Sequence, residues 1–381
     1  MLRFINWLAR KAARDTSTGQ FIPEIDGLRF LAIFSVILYH LSGYVTVTLG
    51  RTGEHDILAA VLHKGFIGVQ LFFVISGFVI ALPFAKAHFN GVPRPGLSKY
   101  FFRRITRLEP PYIANLLIIF TLLVLIKGVP PMALLPNLAS SIVYLHNLIY
   151  GTGSAINTVA WSLEVELQFY LLAPLLTFIF AIRYDVVRRL LLALLIMVLS
   201  LFVPDSLNDY PAFAISIIPY AKYFLSGFLL LDIYLKELPK NPEKSVSWDL
   251  VSLCAWGVFI FLVFAGSMNL LAPPIILAYY ASFKGTVTNR FFTHPVIYTI
   301  GGMCYTIYLY HFQLISVLGR PFIRFFTQQP YQVWLEITLM GVVTIPLILL
   351  FSTLFFIFIE KPCMKRDWYI KLYEKAVPAP R

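Results

Sequence analysis

The sequence predicts an all-α polytopic membrane protein with about ten transmembrane helices and both the N- and C-termini in the cytoplasm. Three observations predict it. First, 59% of the 381 residues are hydrophobic and 13% are charged, with a mean hydropathy of +0.76, more apolar surface than a water-soluble interior of this size can hide. Second, the apolar residues gather in ten runs, the third, fifth and eighth of them short, against the roughly 20 residues needed to cross a hydrocarbon core of about 30 Å. Third, the basic residues alternate between the two sides of those runs: 24 of the 31 Lys and Arg fall on the side of the termini, the side that retains them in the cytoplasm. The net charge of +12 is spread through short segments between runs, so no nucleic-acid partner is expected. Cys254, Cys304 and Cys363 are widely spaced and form neither a metal-ligand pattern nor a disulfide framework, so no metal is expected.

In chain order, residues 1–20 read as a cytoplasmic interfacial amphipathic segment: Leu2, Phe4, Ile5, Trp7 and Leu8 stand beside Arg3, Arg10, Lys11 and Arg14. The apolar core is too short for a cleavable signal. Residues 21–362 form the transmembrane domain, and 363–381 a basic cytoplasmic tail. The first run, Leu28 to Leu49, carries Arg29 and His40. Eleven residues make three helical turns to within about 20°, so both side chains share one face, about 16 Å apart along the axis. Arg29 lies near the cytoplasmic end, where a long basic side chain can also snorkel. His40 is deeper: it is either a hydrogen-bonded packing residue or a proton-transfer group, the chemistry histidine suits best near neutral pH. The second run, Phe66 to Ala85, is marked by Gly65, Gly68, Ser76 and Gly77, a small-residue packing pattern.

The basic stretch Lys99 to Arg107 leads through Pro110 and Pro111 into the third run, Tyr112 to Ile126. If it is helical, Arg103, Arg104 and Arg107 (i, i+1, i+4) present a concentrated cationic surface suited to phosphate oxygens, although such a cluster also serves topology alone. Met132 to Tyr150 is either re-entrant or an extra span. The fourth run, Trp161 to Ile182, opens with two carboxylates. Glu164 reads as a helix-start acid favoured by the dipole, whereas Glu166 lies deeper and shares a face with Tyr170. Glu166 could orient and charge-balance an imidazole from another helix. The runs Leu190 to Val203, Phe213 to Leu235, Trp248 to Gly266 and Leu270 to Phe283 follow, with Lys222 the single basic group inside them. The ninth, Pro295 to Leu318, holds Gly301, Gly302, Tyr305, Tyr308 and a deep His311. The tenth is Val333 to Ile359. Ionisable groups within spans cost a few kcal/mol each on insertion scales, about 2.5 to 3.5, so Arg29, His40, Glu166 and His311 call for a functional reason.

Six segments in order resemble the motifs of the acyltransferase-3 family of integral membrane acyltransferases. They are Ile22 to Arg29 with His40, Gly68 to Phe78, Arg103 to Tyr112, Trp161 to Leu163 with Glu166, Phe169 and Tyr170, Tyr305 to His311, and Glu360 to Pro362. Glu164, Leu167 and Cys304 depart from the common pattern, and the chain resembles members without a fused SGNH-type hydrolase domain. The resemblance implies an O-acetyltransferase of the plasma (inner) membrane, multi-pass. It would transfer an acyl group, most often acetyl, from cytoplasmic acyl-CoA to a hydroxyl of an extracytoplasmic or lipid-linked glycan such as a surface polysaccharide. On that footing Arg103, Arg104 and Arg107 bind the donor with help from Arg29. His40 serves as base or acyl carrier, Glu166 positions it, and Tyr305 and His311 donate to the oxyanion. A second class, a proton-coupled transporter or lipid-linked glycan flippase using His40, Glu166 and His311 as a relay, explains the deep titratable groups but not the ordered motifs.

Overall fold

A computed structural model describes residues 21–51, 56–203, 211–238, 242–365 and 368–369. The amphipathic segment expected over residues 1–20 and the tail from residue 370 onward lie outside them. The described residues are helical apart from turns and one isolated backbone bridge, Ser245 to Gly285. All-helical architecture is what lipid demands, because a helix satisfies its own backbone hydrogen bonds.

The principal helices are α1 Pro23–Thr48, α2 Gly68–Asn90, α3 Leu97–Lys127, α4 Pro131–Ile142, α5 Trp161–Leu176 and α6 Asp185–Phe202. They continue with α7 Ile217–Glu237, α8 Val246–Phe264, α9 Ala272–Lys284, α10 Pro295–Gly302, α11 Cys304–Gln328 and α12 Val333–Phe355. Pro23 and Pro295 occupy first-turn positions of α1 and α10, where a missing N–H costs nothing. Gly91 and Gly128 stop α2 and α3 with φ of 65° and 67°, the left-handed cap that other residues resist.

Each of the ten expected runs is helical, and among the described residues seven helical segments are long and apolar enough to cross a membrane. The three runs outside that set have physical reasons. Helix α9 has 13 residues, about 20 Å at 1.5 Å per residue, short of the hydrocarbon thickness. Helix α6 has 18 residues, and they include Asp185, Arg188 and Arg189. The ninth run is broken at Met303 between α10 and α11. The Met132 to Tyr150 segment is a helical pair, α4 followed by His146–Tyr150.

Helices α1, α2 and α7 form the centre of the packed core, which contains Leu28, Ile33, Val74, Phe78, Phe224 and Phe228, each fully or almost fully buried. Helices α2 and α7 approach backbone to backbone. The position a Cβ would take at Gly77 is occupied by the Phe224 backbone, and that at Gly227 by the backbone of Val74, Gly77 and Phe78. Helix α3 runs through both Pro110 and Pro111. Proline 110 has no N–H to offer the carbonyl four residues earlier, and that Thr106 carbonyl accepts instead from the Trp368 indole at 3.1 Å.

The basic residues between runs do not all face water. Arg188 is 1% exposed, donating to Asp232, to Asp185 at 2.6 Å and to the Ile182 carbonyl at 2.6 Å. Arg189 also reaches Asp232, at 2.7 Å, so one buried carboxylate on α7 joins two guanidinium groups from α6. Lys222, the basic residue inside the sixth run, donates to Asn269 at 2.8 Å.

Candidate active site

Helices α1, α2, α3, α5 and α11 enclose about 820 Å³ of empty space, counting its open mouth. Of the expected site residues, Arg29, Arg104, Arg107, Glu166 and Tyr305 line it. The wall from α2 is Val69, Phe72, Phe73, Ser76, Val79 and Ile80, so Ser76 supplies its one hydroxyl. That spacing is a helix face.

Glu166 anchors the middle of the cavity. Its Oε1 accepts from the Ser76 hydroxyl at 2.6 Å and from the Tyr170 hydroxyl at 2.6 Å. The Glu166 to Tyr170 bond realises the i, i+4 relation read from the sequence. The Arg104 guanidinium stands over the Tyr170 ring at 5.2 Å and near Tyr100 at 5.8 Å, an arrangement that holds a planar cation at the wall. Arg29 is ion-paired with Asp26 one turn earlier. Tyr305 donates to the Leu108 carbonyl at 2.9 Å, linking α11 to the arginine-bearing turn of α3. Nearby, Thr306 donates to Glu360.

At the other end of the cavity Ser162 and Tyr308 lie 2.7 Å apart, and the Tyr308 hydroxyl also reaches the Val159 carbonyl at 2.7 Å. One turn further along α11 is His311, fully buried. Its Nδ1 lies 2.8 Å from the Tyr308 carbonyl and 3.1 Å from that of Ile307, and its Nε2 lies 3.1 Å from His40 Nδ1. A carbonyl can only accept, so His311 Nδ1 carries the proton and its Nε2 offers a lone pair. His40 Nδ1 faces that lone pair and the Val36 carbonyl at 3.0 Å, two acceptors, so it too carries its proton. His40 Nε2 is left with the free lone pair, the state a general base requires.

The geometry differs from the expected arrangement at both histidines: His311, expected as an oxyanion donor, turns its Nε2 to His40 and is not on the cavity lining. Glu166 bonds Ser76 and Tyr170, while His40 finds its partner in His311, and His40 is not among the residues lining the cavity. Glu164 is buried and accepts from the Asn147 backbone N–H at 2.8 Å. It caps the short helix His146–Tyr150 as well as standing in the first turn of its own.

The expected cationic cluster divides in two. A second, wider hollow of about 1250 Å³ is lined by Lys86, Arg94, Lys99, Arg103, Arg104 and Arg107 with the Val92 to Gly96 loop. Arg104 and Arg107 line both spaces, and Arg103 only the outer one. Asp26 pairs with Arg29 at the i, i+3 spacing that the sequence displays, Ser76 is a hydrogen-bond donor within the small-residue packing pattern, and nothing local announces the Ser162 to Tyr308 contact.

The family model for an acyltransferase domain matches residues 22–353. The chain is 26% identical, over 91% of its length, to a protein of Staphylococcus aureus strain COL named "Putative O-acetyltransferase SACOL0978". It is 24% identical, over 92% of its length, to O-acetyltransferase OatA of Staphylococcus aureus strain NCTC 8325. It spans 58% of the length of each of these relatives, and no solved structure matches it. With the match running through every cavity-lining residue except Glu360, the chain belongs to the acyltransferase-3 family of membrane proteins.

Proposed function

We propose that the protein transfers an acetyl group from cytoplasmic acetyl-CoA to a hydroxyl of an extracytoplasmic or lipid-linked glycan. In this reading it sits in the inner membrane as ten spans with cytoplasmic termini. The observation that carries the proposal is a basic hollow that shares Arg104 and Arg107 with a cavity holding Glu166, with the His40 to His311 pair packed one helical turn past Tyr308 of its wall. Relatives named O-acetyltransferases favour acetyl as the group carried.

The donor's phosphates meet Arg103, Arg104 and Arg107, and the thioester arm enters past the latter two toward Ser76 and Glu166. Arg29, about 16 Å from His40 along α1, adds positive charge at the donor end of the cavity beside Arg104 and Arg107. His40 Nε2 takes the proton of the acceptor hydroxyl. The new C–O bond forms, the C–S bond breaks, and CoA leaves as the thiolate. His311 accepts the His40 Nδ1 hydrogen bond throughout and so steadies the imidazolium. Tyr305 lies on the cavity wall within reach of an oxyanion role, provided its proton turns from the Leu108 carbonyl.

The test is transfer from isotopically labelled acetyl-CoA to saccharide acceptors by the purified protein reconstituted in lipid. Label should appear on the acceptor with wild type and fall by about 10²- to 10⁴-fold in His40→Ala, the range general-base groups contribute. Full activity in His40→Ala at normal membrane levels removes the base from the scheme. Proton-coupled uptake of a solute without acetyl transfer would establish a transporter instead.

A further inference from the structure

Glycine is a poor helix former, and several glycines inside these helices are explained by close contact. At Gly27, Gly68, Gly77, Gly227 and Gly301 a Cβ would land less than 3 Å from a neighbouring element. Gly43 in α1 is different: nothing lies within 4 Å of the place its Cβ would take. It stands beside the candidate base. Val36, His40, Gly43 and Val47 recur at i, i+4, i+7 and i+11, which is one face of a helix. Along that face Val36 is 1% exposed, His40 and Gly43 are half-buried, and Val47 is 81% exposed. The face therefore opens step by step from His40 toward the end of α1 remote from Arg29, over about 10 Å in two turns.

Aromatic rings wall this trough. Tyr39 lies 4.8 Å from the His40 ring at 73°, and Phe312 of α11 lies 5.2 Å from it at 75°. Behind Tyr39 stand His63 at 5.4 Å and Phe66 at 6.1 Å. Tyr39 and Phe312 are half-buried and His63 is exposed, so these rings are not sealed in the core. Charge is missing from the same surface. Arg51, four residues beyond Val47, is held by Glu336 and by the Tyr331 carbonyl at 2.8 Å, and Lys64 stands over the Phe264 ring at 5.9 Å. A hydrocarbon chain would suit the rings but would leave the His40 Nε2 lone pair without the O–H or N–H donor it requires.

Resting on the transferase reading above, we propose that this trough is the acceptor subsite and that it takes an electrically neutral sugar ring. The C–H face of the sugar packs on Phe312 and Tyr39, whose ring faces carry partial negative charge, while one sugar hydroxyl donates to His40 Nε2. Gly43 leaves the room that the next part of the saccharide fills. Uronic acids and phosphorylated sugars fit poorly, because their charge would be desolvated against aromatic walls with no counter-ion to meet it. Donor and acceptor thus approach His40 from opposite ends of α1.

The experiment measures initial rates of label transfer from acetyl-CoA by the purified full chain in nanodiscs. The acceptors are tetrasaccharides of glucose, mannose and N-acetylglucosamine, with tetragalacturonate as the charged comparison; acetyl-CoA affinity is measured separately by calorimetry. A neutral tetrasaccharide should be acetylated at least about tenfold more efficiently than tetragalacturonate. Gly43→Leu should raise KM for that acceptor about tenfold or more, as surplus methylenes in a fitted site do. Its acetyl-CoA affinity and thermal midpoint should match wild type, since the new side chain displaces nothing in the fold. Gly43→Ala should change KM by less than about threefold, and Phe312→Leu, which removes the ring but keeps an apolar side chain, should raise it about 2- to 10-fold. A wild-type acceptor KM in Gly43→Leu overturns the subsite and leaves the transferase reading intact. Tetragalacturonate accepted better than every neutral saccharide overturns the neutral-ring assignment. Transfer to no saccharide, with acetyl-CoA still bound, overturns both the subsite and the glycan acceptor.

Discussion

Replacing His311 should slow the reaction without abolishing it, and the hydrogen-bond geometry sets the size of the effect. His40 Nδ1 has two acceptors, His311 Nε2 at 3.1 Å and the Val36 carbonyl at 3.0 Å. Removing His311 leaves Val36 in place, so His40 keeps the tautomer that exposes Nε2. The loss is one hydrogen bond to a group that becomes charged during the reaction, about 1.5 to 3 kcal/mol. At 1.4 kcal/mol per factor of ten, kcat should fall roughly 10- to 150-fold, with little change in KM for acetyl-CoA, whose phosphates bind elsewhere. His311→Gln restores an acceptor in nearly the same place and should recover part of the rate. The assay is initial-rate acetyl transfer by reconstituted His311→Ala, His311→Gln and His40→Ala at matched membrane levels. His311→Ala as inactive as His40→Ala would show that His311 acts on the substrate itself. His311→Ala with wild-type kcat would show that the pair takes no part.

Two further outcomes follow from other contacts. Glu166→Gln should cost more activity than Ser76→Ala or Tyr170→Phe. Each of the latter removes one of the two bonds to Oε1, about 1 to 2 kcal/mol, whereas the amide removes the charge both donors serve; equal losses in the acetyl-transfer assay would refute this order. Arg188→Met should destabilise the fold by about 3 to 5 kcal/mol, because it leaves the fully buried Asp232 with only Arg189. A thermal-unfolding midpoint of the detergent-solubilised protein within a degree or two of wild type would refute it.

Local relations were legible in the sequence because helical geometry fixes them. Glu166 and Tyr170, four residues apart, meet at 2.6 Å. All ten apolar runs became helices, and the two arginines shared by both hollows lie in the stretch expected to meet phosphate. Contacts set by how helices pack were not legible. His40 and His311 are 271 residues apart, and nothing near either one selects the other over Glu166. The break at Met303 was hidden too, since Gly301 and Gly302 read equally well as close-packing residues inside a continuous span. Gly301 does pack closely, its Cβ position filled by the Asp26 carbonyl. Helix α9 falls below the length that crosses hydrocarbon, as the 14 residues of its run, Leu270 to Phe283, already indicate.

The mutual burial of Gly77 and Gly227 also determines where this protein can breathe. With each backbone filling the space a side chain would need on the other, α2 and α7 slide or part only by giving up van der Waals contact along their whole crossing. The α2 face bearing Ser76 is consequently a fixed anvil. Any widening that admits or releases a reactant falls to the opposite side, where α3 carries its two prolines and α5 presents Glu166.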